Sequence, residues 1–218
     1  MPFVSALRNA APAVASLSQN SEEYWFLEDV FQRILHGDIE DAYDAVELLE
    51  ENIDEYLEDG EDFPEAAAFA FAEEPEEYTE ALAEALWAAA YTTAQAWDEE
   101  TTDTDRFVEA IGALEELGID AGIFTDFADV EPREGQRGAV VLWVNAWENF
   151  DNDDAVPVML SLAERGDATM DEVEADAIGA FSEAGLAAER TEHRGFIVVP
   201  MRWRHHVSSW EDAGGHEV

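Results

Sequence analysis

The sequence contains no cysteine and no lysine. Without cysteine it has no disulfide framework, no thiolate metal site and no cysteine nucleophile. Without lysine it cannot form a phosphate-binding loop of the Walker type, because that loop uses a lysine to reach the phosphates. All 10 cations among its 218 residues are arginines.

Positive charge is scarce as a whole, since 53 aspartates and glutamates leave a formal net charge of -43. In dilute buffer such a chain repels itself strongly. At about 1 M salt the screening length falls to about 3 Å, so most of that repulsion disappears. The composition therefore predicts a protein from the salt-rich cytoplasm of an extreme halophile, or from a virion assembled there. We expect salt cations to bind at its acidic surface.

Acidity alone would also fit a disordered chain or a protein that mimics nucleic acid. Disorder requires low hydrophobicity, whereas 47% of these residues are hydrophobic and 11% are aromatic. We therefore expect a folded protein. An acidic nucleic-acid mimic stays open as an alternative, although mimicry does not explain the missing lysine.

Long hydrophobic runs are missing too. No apolar stretch approaches the roughly 20 residues that span a bilayer, so no membrane association is predicted. The N-terminal stretch has no basic start, and Pro12 interrupts it. It is therefore a poor match to a signal peptide.

The order of the patterns predicts an α+β fold, with an N-terminal helical bundle followed by a small α+β domain. In the first half, apolar residues recur every three or four positions, which is typical of helices. Short connections between such helices favour a bundle. The predicted parts are an N-terminal arm at 1–20, the helical bundle at 21–121, a connection at 122–137, the α+β domain at 138–207 and a polar tail at 208–218.

Local signals place several helix ends within the predicted bundle. Pro75 suits a first helical residue, because its missing N–H has no partner at that position anyway. Asp103 or Thr104 is predicted to cap the last helix of the bundle, and Gly118 to end it. A short helix is predicted at 65–73.

The second domain is predicted to contain a strand, two helices and a C-terminal hairpin. The stretch 138–147 is apolar on both faces, which is typical of a central strand. Helices are predicted at 155–164 and 170–184, and the hairpin at 186–204. Pro200 cannot donate a ladder hydrogen bond, so we expect the last strand to be bulged or at an edge there.

The hairpin is the one strongly basic part of the chain. Residues 190–206 carry four of the ten arginines and three of the five histidines, but a single acid. This pattern predicts binding of a protein partner, or self-association. The same pattern favours more strongly the interpretation that these arginines pair with the protein's own carboxylates, which surround them in excess. The predicted partner-binding residues are Arg190, Arg194, Arg202, Trp203, Arg204 and His205.

Nucleic-acid binding is not predicted from this hairpin. A winged-helix arrangement would place the helix at 170–184 in the major groove, and that helix is rich in carboxylates. Contact with phosphates requires cations. The acidic helix therefore argues against DNA binding.

No metal site and no cofactor are predicted. His205 and His206 are adjacent, and adjacent residues of a strand point to opposite faces, so they cannot easily hold one ion. The acidic run 151–154 lacks the glycine and the distant glutamate of a calcium-binding loop. The helical metalloprotease motif and the serine hydrolase elbow are also missing from the sequence.

These observations favour a non-catalytic structural or protein-interaction subunit of a larger assembly, such as a neck or tail component of a virion. We expect a homo-oligomer or a complex that forms through the hairpin. The alternative is an enzyme whose active site is assembled from dispersed residues of the second domain. That site would include Trp143, Asn145, Trp147 and Arg202.

Overall fold

A computed structural model describes most of the chain and divides it into two compact units. One unit comprises 1–98 with 206–218, and the other comprises 99–205. The predicted arm at 1–20 and the predicted helix at 65–73 lie outside the described residues. The residues that the structure describes are 22–58, 75–128, 130 and 134–215.

The described part of the chain contains five α-helices and one mixed five-stranded sheet, which confirms an α+β protein. None of its helices is both long and apolar enough to cross a membrane. The helices are α1 Glu22–His36, α2 Ala42–Glu58, α3 Pro75–Ala94, α4 Asp103–Glu116 and α5 Met170–Glu183. The strands are β1 Ile119–Gly122, β2 Gly138–Val141, β3 Val156–Glu164, β4 Glu189–Arg190 and β5 Phe196–Met201.

The first unit is built on α1, α2 and α3, which contact one another in all three pairs. Each helix presents buried apolar residues at helical spacing, for example Leu27, Ile34, Leu49, Leu82 and Leu86. Helix α3 begins at Pro75, as predicted.

The described residues from His206 to Gly215 belong to this first unit. Val207, Trp210 and Ala213 are buried in its core. The indole N–H of Trp87 donates to the carbonyl of Ser208 at 2.9 Å, and the Ala42 N–H donates to the carbonyl of Ala213 at 3.0 Å. The sequence prediction for 208–218 gave weight to its polar residues and overlooked this apolar spacing.

The second unit is a sheet with both of its helices on one face. The strand order is β1-β2-β3-β5-β4, with β1 and β2 parallel and the other pairs antiparallel. Helices α4 and α5 pack against each other. They share one core with alternate residues of the strands, namely Val140, Val158, Leu160, Leu162, Ile197 and Val199.

Helix α4 therefore packs with the sheet, although the sequence analysis included it in the bundle. Its buried residues Phe107, Ile111 and Leu114 lie in the core of the second unit. Thr102 caps it and forms a capping box with Asp105, one residue before the predicted caps. Helical spacing reveals a buried face but does not reveal which element covers it.

The prediction of a helix at 155–164 was wrong, because this stretch is strand β3. Val158, Leu160 and Leu162 alternate with more polar or exposed positions and point to the helices. That spacing of two is the signature of a strand. The apolar residues in between made the stretch resemble a short helix.

The predicted strand at 138–147 is shorter in the structure. Strand β2 ends at Val141, and a short 3₁₀ helix follows at Ala146–Asn149. The turn between them is closed by the Ala146 N–H, which donates to the carbonyl of Trp143 at 2.9 Å. A run that is apolar on both faces suits either a central strand or a turn packed against one.

The hairpin is confirmed as an antiparallel pair of β4 and β5, with strands shorter than predicted. Strand β5 lies inside the sheet, between β3 and β4. Pro200 nevertheless has no partner in β4, because the first residue of β4, Glu189, pairs with Val198. On the other side of β5, Pro200 lies opposite Pro157 of β3. Neither proline is therefore required to donate a hydrogen bond to a neighbouring strand.

Candidate interaction site

The two hairpin arginines nearest to α5 contact its carboxylates. Arg190 lies 3.3 Å from Glu174, and Arg194 lies 3.8 Å from Asp171. Glu174 is buried, and its second oxygen accepts the N–H of Gly195 at 2.9 Å. Glu174 thus fastens the turn of the hairpin to α5, and these contacts correspond to pairing with the protein's own carboxylates.

Arg202 and Arg204 meet at the start of α4. Together with Arg106 they line a small cavity of about 220 Å³, which also contains Glu100 and Asp103. Arg204 donates to the carbonyl of Asn152 at 2.7 Å and lies 3.3 Å from Glu100. The cavity therefore brings arginines and carboxylates together and is not a purely basic patch.

The aromatic residue between these two arginines is part of the core. Trp203 is 3% exposed and stacks on Phe150 with ring centroids 4.0 Å apart. His205 is half-buried. Because Trp203 faces inward and the side chain of Arg204 contacts the protein's own groups, these two residues offer a partner less free surface than the sequence indicates, whereas Arg202 is exposed.

A different surface of the second unit is open. Where β2 ends at Val141, its neighbour β3 continues for several residues beside the turn that follows β2. Between this part of β3 and the turn lies a cavity of about 490 Å³, which we call the β3 slot. The described residues that line it are Trp143, Asn145, Ala146, Asn149, Phe150, Val156, Pro157, Val158 and Met159.

The main chain of Met159 faces this slot. The Leu162 N–H donates to the carbonyl of Gly195, so alternate residues of β3 from Leu162 backwards bond to β5. Met159 falls between those positions, and its N–H and C=O therefore point towards the β2 side. A longer β2 would place Trp143 opposite Met159, but the carbonyl of Trp143 already accepts the N–H of Ala146.

The side chains around the slot are uncharged, and two of the largest are exposed. Met159 is 55% exposed and Trp143 is 37% exposed. The indole N–H of Trp143 donates to the hydroxyl of Ser161 at 2.6 Å, which fixes the ring as one wall. None of the nine described lining residues carries a charge. The slot is therefore suited to an apolar segment of polypeptide and not to an ion.

The group of residues named for a dispersed active site is only partly assembled. Trp143 and Asn145 both line the β3 slot, whereas Trp147 is buried and Arg202 lines the smaller cavity at α4. Of the residues that line the slot, the sequence analysis named Trp143 and Asn145 but missed Pro157 and Met159. Those two were assigned to a helix, and the alternation along 156–162 was the signal that could have placed them on a strand.

Among the described residues, two carboxyl groups have displaced pKa values, and neither lies at the slot. Burial, and then the neighbouring Asp41, raise the pKa of Asp44. Hydrogen bonds from the backbone and side chain of Thr169 lower the pKa of Glu172. Asp44 belongs to α2 and Glu172 to the capping box of α5, so both shifts have local causes.

The acidic run 151–154 forms a turn, in which the carboxylate of Asp151 accepts the N–H groups of Asp153 and Asp154. Within the described residues, no three histidine, aspartate or glutamate side chains are grouped so that they could hold a metal ion.

Compared with known proteins, the chain matches no family model, no curated protein and no solved structure.

Proposed function

We propose that this protein is a non-catalytic structural or protein-interaction subunit of a larger assembly in an extreme halophile or its virus, and that copies associate through the β3 slot. The observation that carries the proposal is an uncharged, exposed apolar slot beside an uncovered strand edge. It occurs in a chain with 53 acidic residues.

The chemistry of the slot supports an interaction with polypeptide. A peptide that adds to a strand edge gains specificity from pockets that accept its side chains. An uncovered strand edge presents N–H and C=O groups that can pair with another chain. The β3 slot combines both, since Met159 contributes an exposed side chain and main-chain groups that point to the same opening.

The occupant that we propose is a second copy of this chain. Burying a carboxylate without a partner is costly, so surfaces that meet at the slot must be poor in acids. This chain has acid-free stretches, and contact between one of them and the slot buries none of the 53 acids. Molar salt screens the repulsion between the remaining surfaces of the two copies.

The experiment is light scattering of the wild type and Met159→Asp over a range of protein concentrations in about 2 M KCl, where surface charge is well screened. The matched control is Val108→Asp. Val108 is 57% exposed, close to the value for Met159, but it lies on α4, away from the slot. Both substitutions add one carboxylate to an exposed apolar position.

We expect the wild type and Val108→Asp to have masses of two or more times 24.2 kDa. We expect Met159→Asp to be monomeric. Circular dichroism of all three proteins checks that they are folded. A wild type that is monomeric at every concentration would overturn the proposal. Equal masses for Met159→Asp and the wild type would also overturn it.

The proposed saline environment has its own test. A formal net charge of -43 predicts that the fold depends on screening. We expect circular dichroism to show a loss of helical signal when the protein is dialysed from about 2 M KCl into salt-free buffer. Full retention of the signal and of cooperative melting would contradict the halophilic origin without bearing on the slot.

A further inference from the structure

The β3 slot places a narrow requirement on the segment that fills it. Its described lining is uncharged, and the main chain of Met159 offers one donor and one acceptor towards the opening. An extended segment can use both groups while its side chains contact Trp143, Phe150 and Met159. An aspartate or glutamate in that segment would lose hydration without gaining a cation, so the segment must be free of acids.

This chain contains two long acid-free stretches. One is 193–210, which already forms β5 and part of the buried segment after it. The other is the first 21 residues, which contain no aspartate or glutamate and a single cation, Arg8. This N-terminal stretch is also rich in apolar residues, including Phe3, Val4, Leu7, Val14 and Leu17.

We infer that the N-terminal stretch of one copy occupies the β3 slot of the next copy, as a short strand beside β3. The inference rests on the proposed function, because it names the segment through which copies associate. Residues 3–7 lie between Pro2 and Pro12, neither of which can donate a ladder hydrogen bond. In an extended conformation Phe3 and Leu7 share one face of this segment with Ser5.

The inference determines the kind of assembly. A segment of one copy that enters the slot of the next makes a head-to-tail contact, in which the two surfaces differ. Such contacts repeat until they close a ring or continue as a filament. The smallest closed ring is a dimer in which each copy inserts its N-terminal stretch into the slot of the other.

The test uses the full chain with two substitutions in the N-terminal stretch, Phe3→Asp and Leu7→Asp together. The matched control is Ser16→Asp with Ser18→Asp, which adds the same charge at polar positions of the same stretch but outside residues 3–7. Light scattering in about 2 M KCl measures the mass of each protein. In a second measurement, a synthetic peptide of residues 1–21 is added in excess to the wild type.

We expect the Phe3 and Leu7 variant to be monomeric, the control variant to assemble like the wild type, and the peptide to dissociate the wild type. If that variant stays assembled while Met159→Asp is monomeric, the slot is an interface but the inference is wrong. If neither the N-terminal variant nor Met159→Asp changes the mass of the assembly, both the inference and the proposed function are wrong.

Discussion

Two neighbouring residues of β3 differ in how far their side chains are buried. Leu160 is fully buried, because it points to the face of the sheet that α4 and α5 cover. Met159 is 55% exposed and points to the other face, beside the slot. Both are large apolar residues, so hydrophobicity alone does not distinguish them. The difference is that the helices cover one face of β3, while no described element covers the other face at Met159.

This contrast shows where stability and interaction are separated in the second unit. The core between the helices and the covered face contains the buried aromatic and aliphatic side chains, including Phe107 of α4, Phe181 of α5 and Ile197 of β5. The face at Met159 is apolar but remains open. We therefore expect substitutions on the covered face to change the free energy of unfolding, and substitutions at the slot to change association.

The largest effect on stability is expected from Leu160→Ala. Removing a fully buried leucine side chain leaves a cavity and lowers the free energy of unfolding by about 2–5 kcal/mol. Met159→Ala, on the neighbouring residue, is expected to lower it by less than about 1 kcal/mol in dilute protein, because most of that side chain is in solvent. Urea unfolding in about 2 M KCl measures both. Equal losses would contradict the contrast between the two faces.

A smaller loss is expected from Gly138→Ala, which tests how closely α5 approaches the sheet. A Cβ at Gly138 would lie 2.8 Å from the carbonyl oxygen of Ala163 and 3.0 Å from Val173 of α5. Overpacking of this kind lowers the free energy of unfolding by about 1–3 kcal/mol.

The matched control for Gly138 is Gly179→Ala within α5. Apart from its chain neighbours and the backbone of α5 itself, no atom lies within 4 Å of a Cβ at this position. Alanine in a helix interior is favoured over glycine by about 1 kcal/mol, so this variant should be more stable than the wild type. Thermal melting distinguishes the two variants. A stabilised Gly138→Ala would show that α5 packs less closely than the structure indicates.

The N-terminal cap of α5 should contribute about 1 kcal/mol to the free energy of unfolding of the second unit, in which α4 and α5 form the helix layer on the sheet. The hydroxyl of Thr169 accepts the N–H of Glu172, and the Thr169 N–H donates to the Glu172 carboxylate at 2.8 Å. Thr169→Ala removes the first of these bonds, and loss of such a cap costs about 0.5–2 kcal/mol. Thermal unfolding checks the loss. No change in melting temperature would mean that the cap does not hold the covering layer in place.

The smallest effect is a dependence on pH at Glu172. Its pKa is lowered by the backbone hydrogen bond from Thr169, so the folded protein binds the proton more weakly than the unfolded chain. The stabilisation is therefore present above the ordinary carboxyl pKa and is lost as the pH falls through the lowered value. In Glu172→Gln this component of the pH dependence should be missing. Parallel curves of stability against pH for the two proteins would contradict it.

Much of the helix layer could be predicted from the sequence, because its signals are local. Helix α5 has its capping threonine, its apolar spacing and Gly185, whose φ of 90° ends it. Gly195, which has a φ of 84°, likewise indicates the hairpin turn. These residues encode their conformation without reference to distant parts of the chain.

The slot could not be predicted, because it depends on which strand ends first. The apolar run after Gly138 indicates a strand but not that pairing stops at Val141. The self-pairing of the hairpin arginines is equally non-local, since Glu174 precedes Arg190 by 16 positions and Glu100 precedes Arg204 by 104. Local sequence patterns show charge and periodicity. Contacts between residues distant in sequence determine which side chains remain available to bind a partner.

The most direct test of the contrast is the oxidation rate of two methionines of the same sheet. Met159 is 55% exposed, whereas Met201 is fully buried. Mass spectrometry after peroxide treatment in about 2 M KCl gives the rate for each residue at low and at high protein concentration. We predict that Met159 is oxidised quickly in dilute protein and protected when copies assemble, while Met201 reacts slowly in both. Oxidation of Met159 at the same rate at all concentrations would contradict the account.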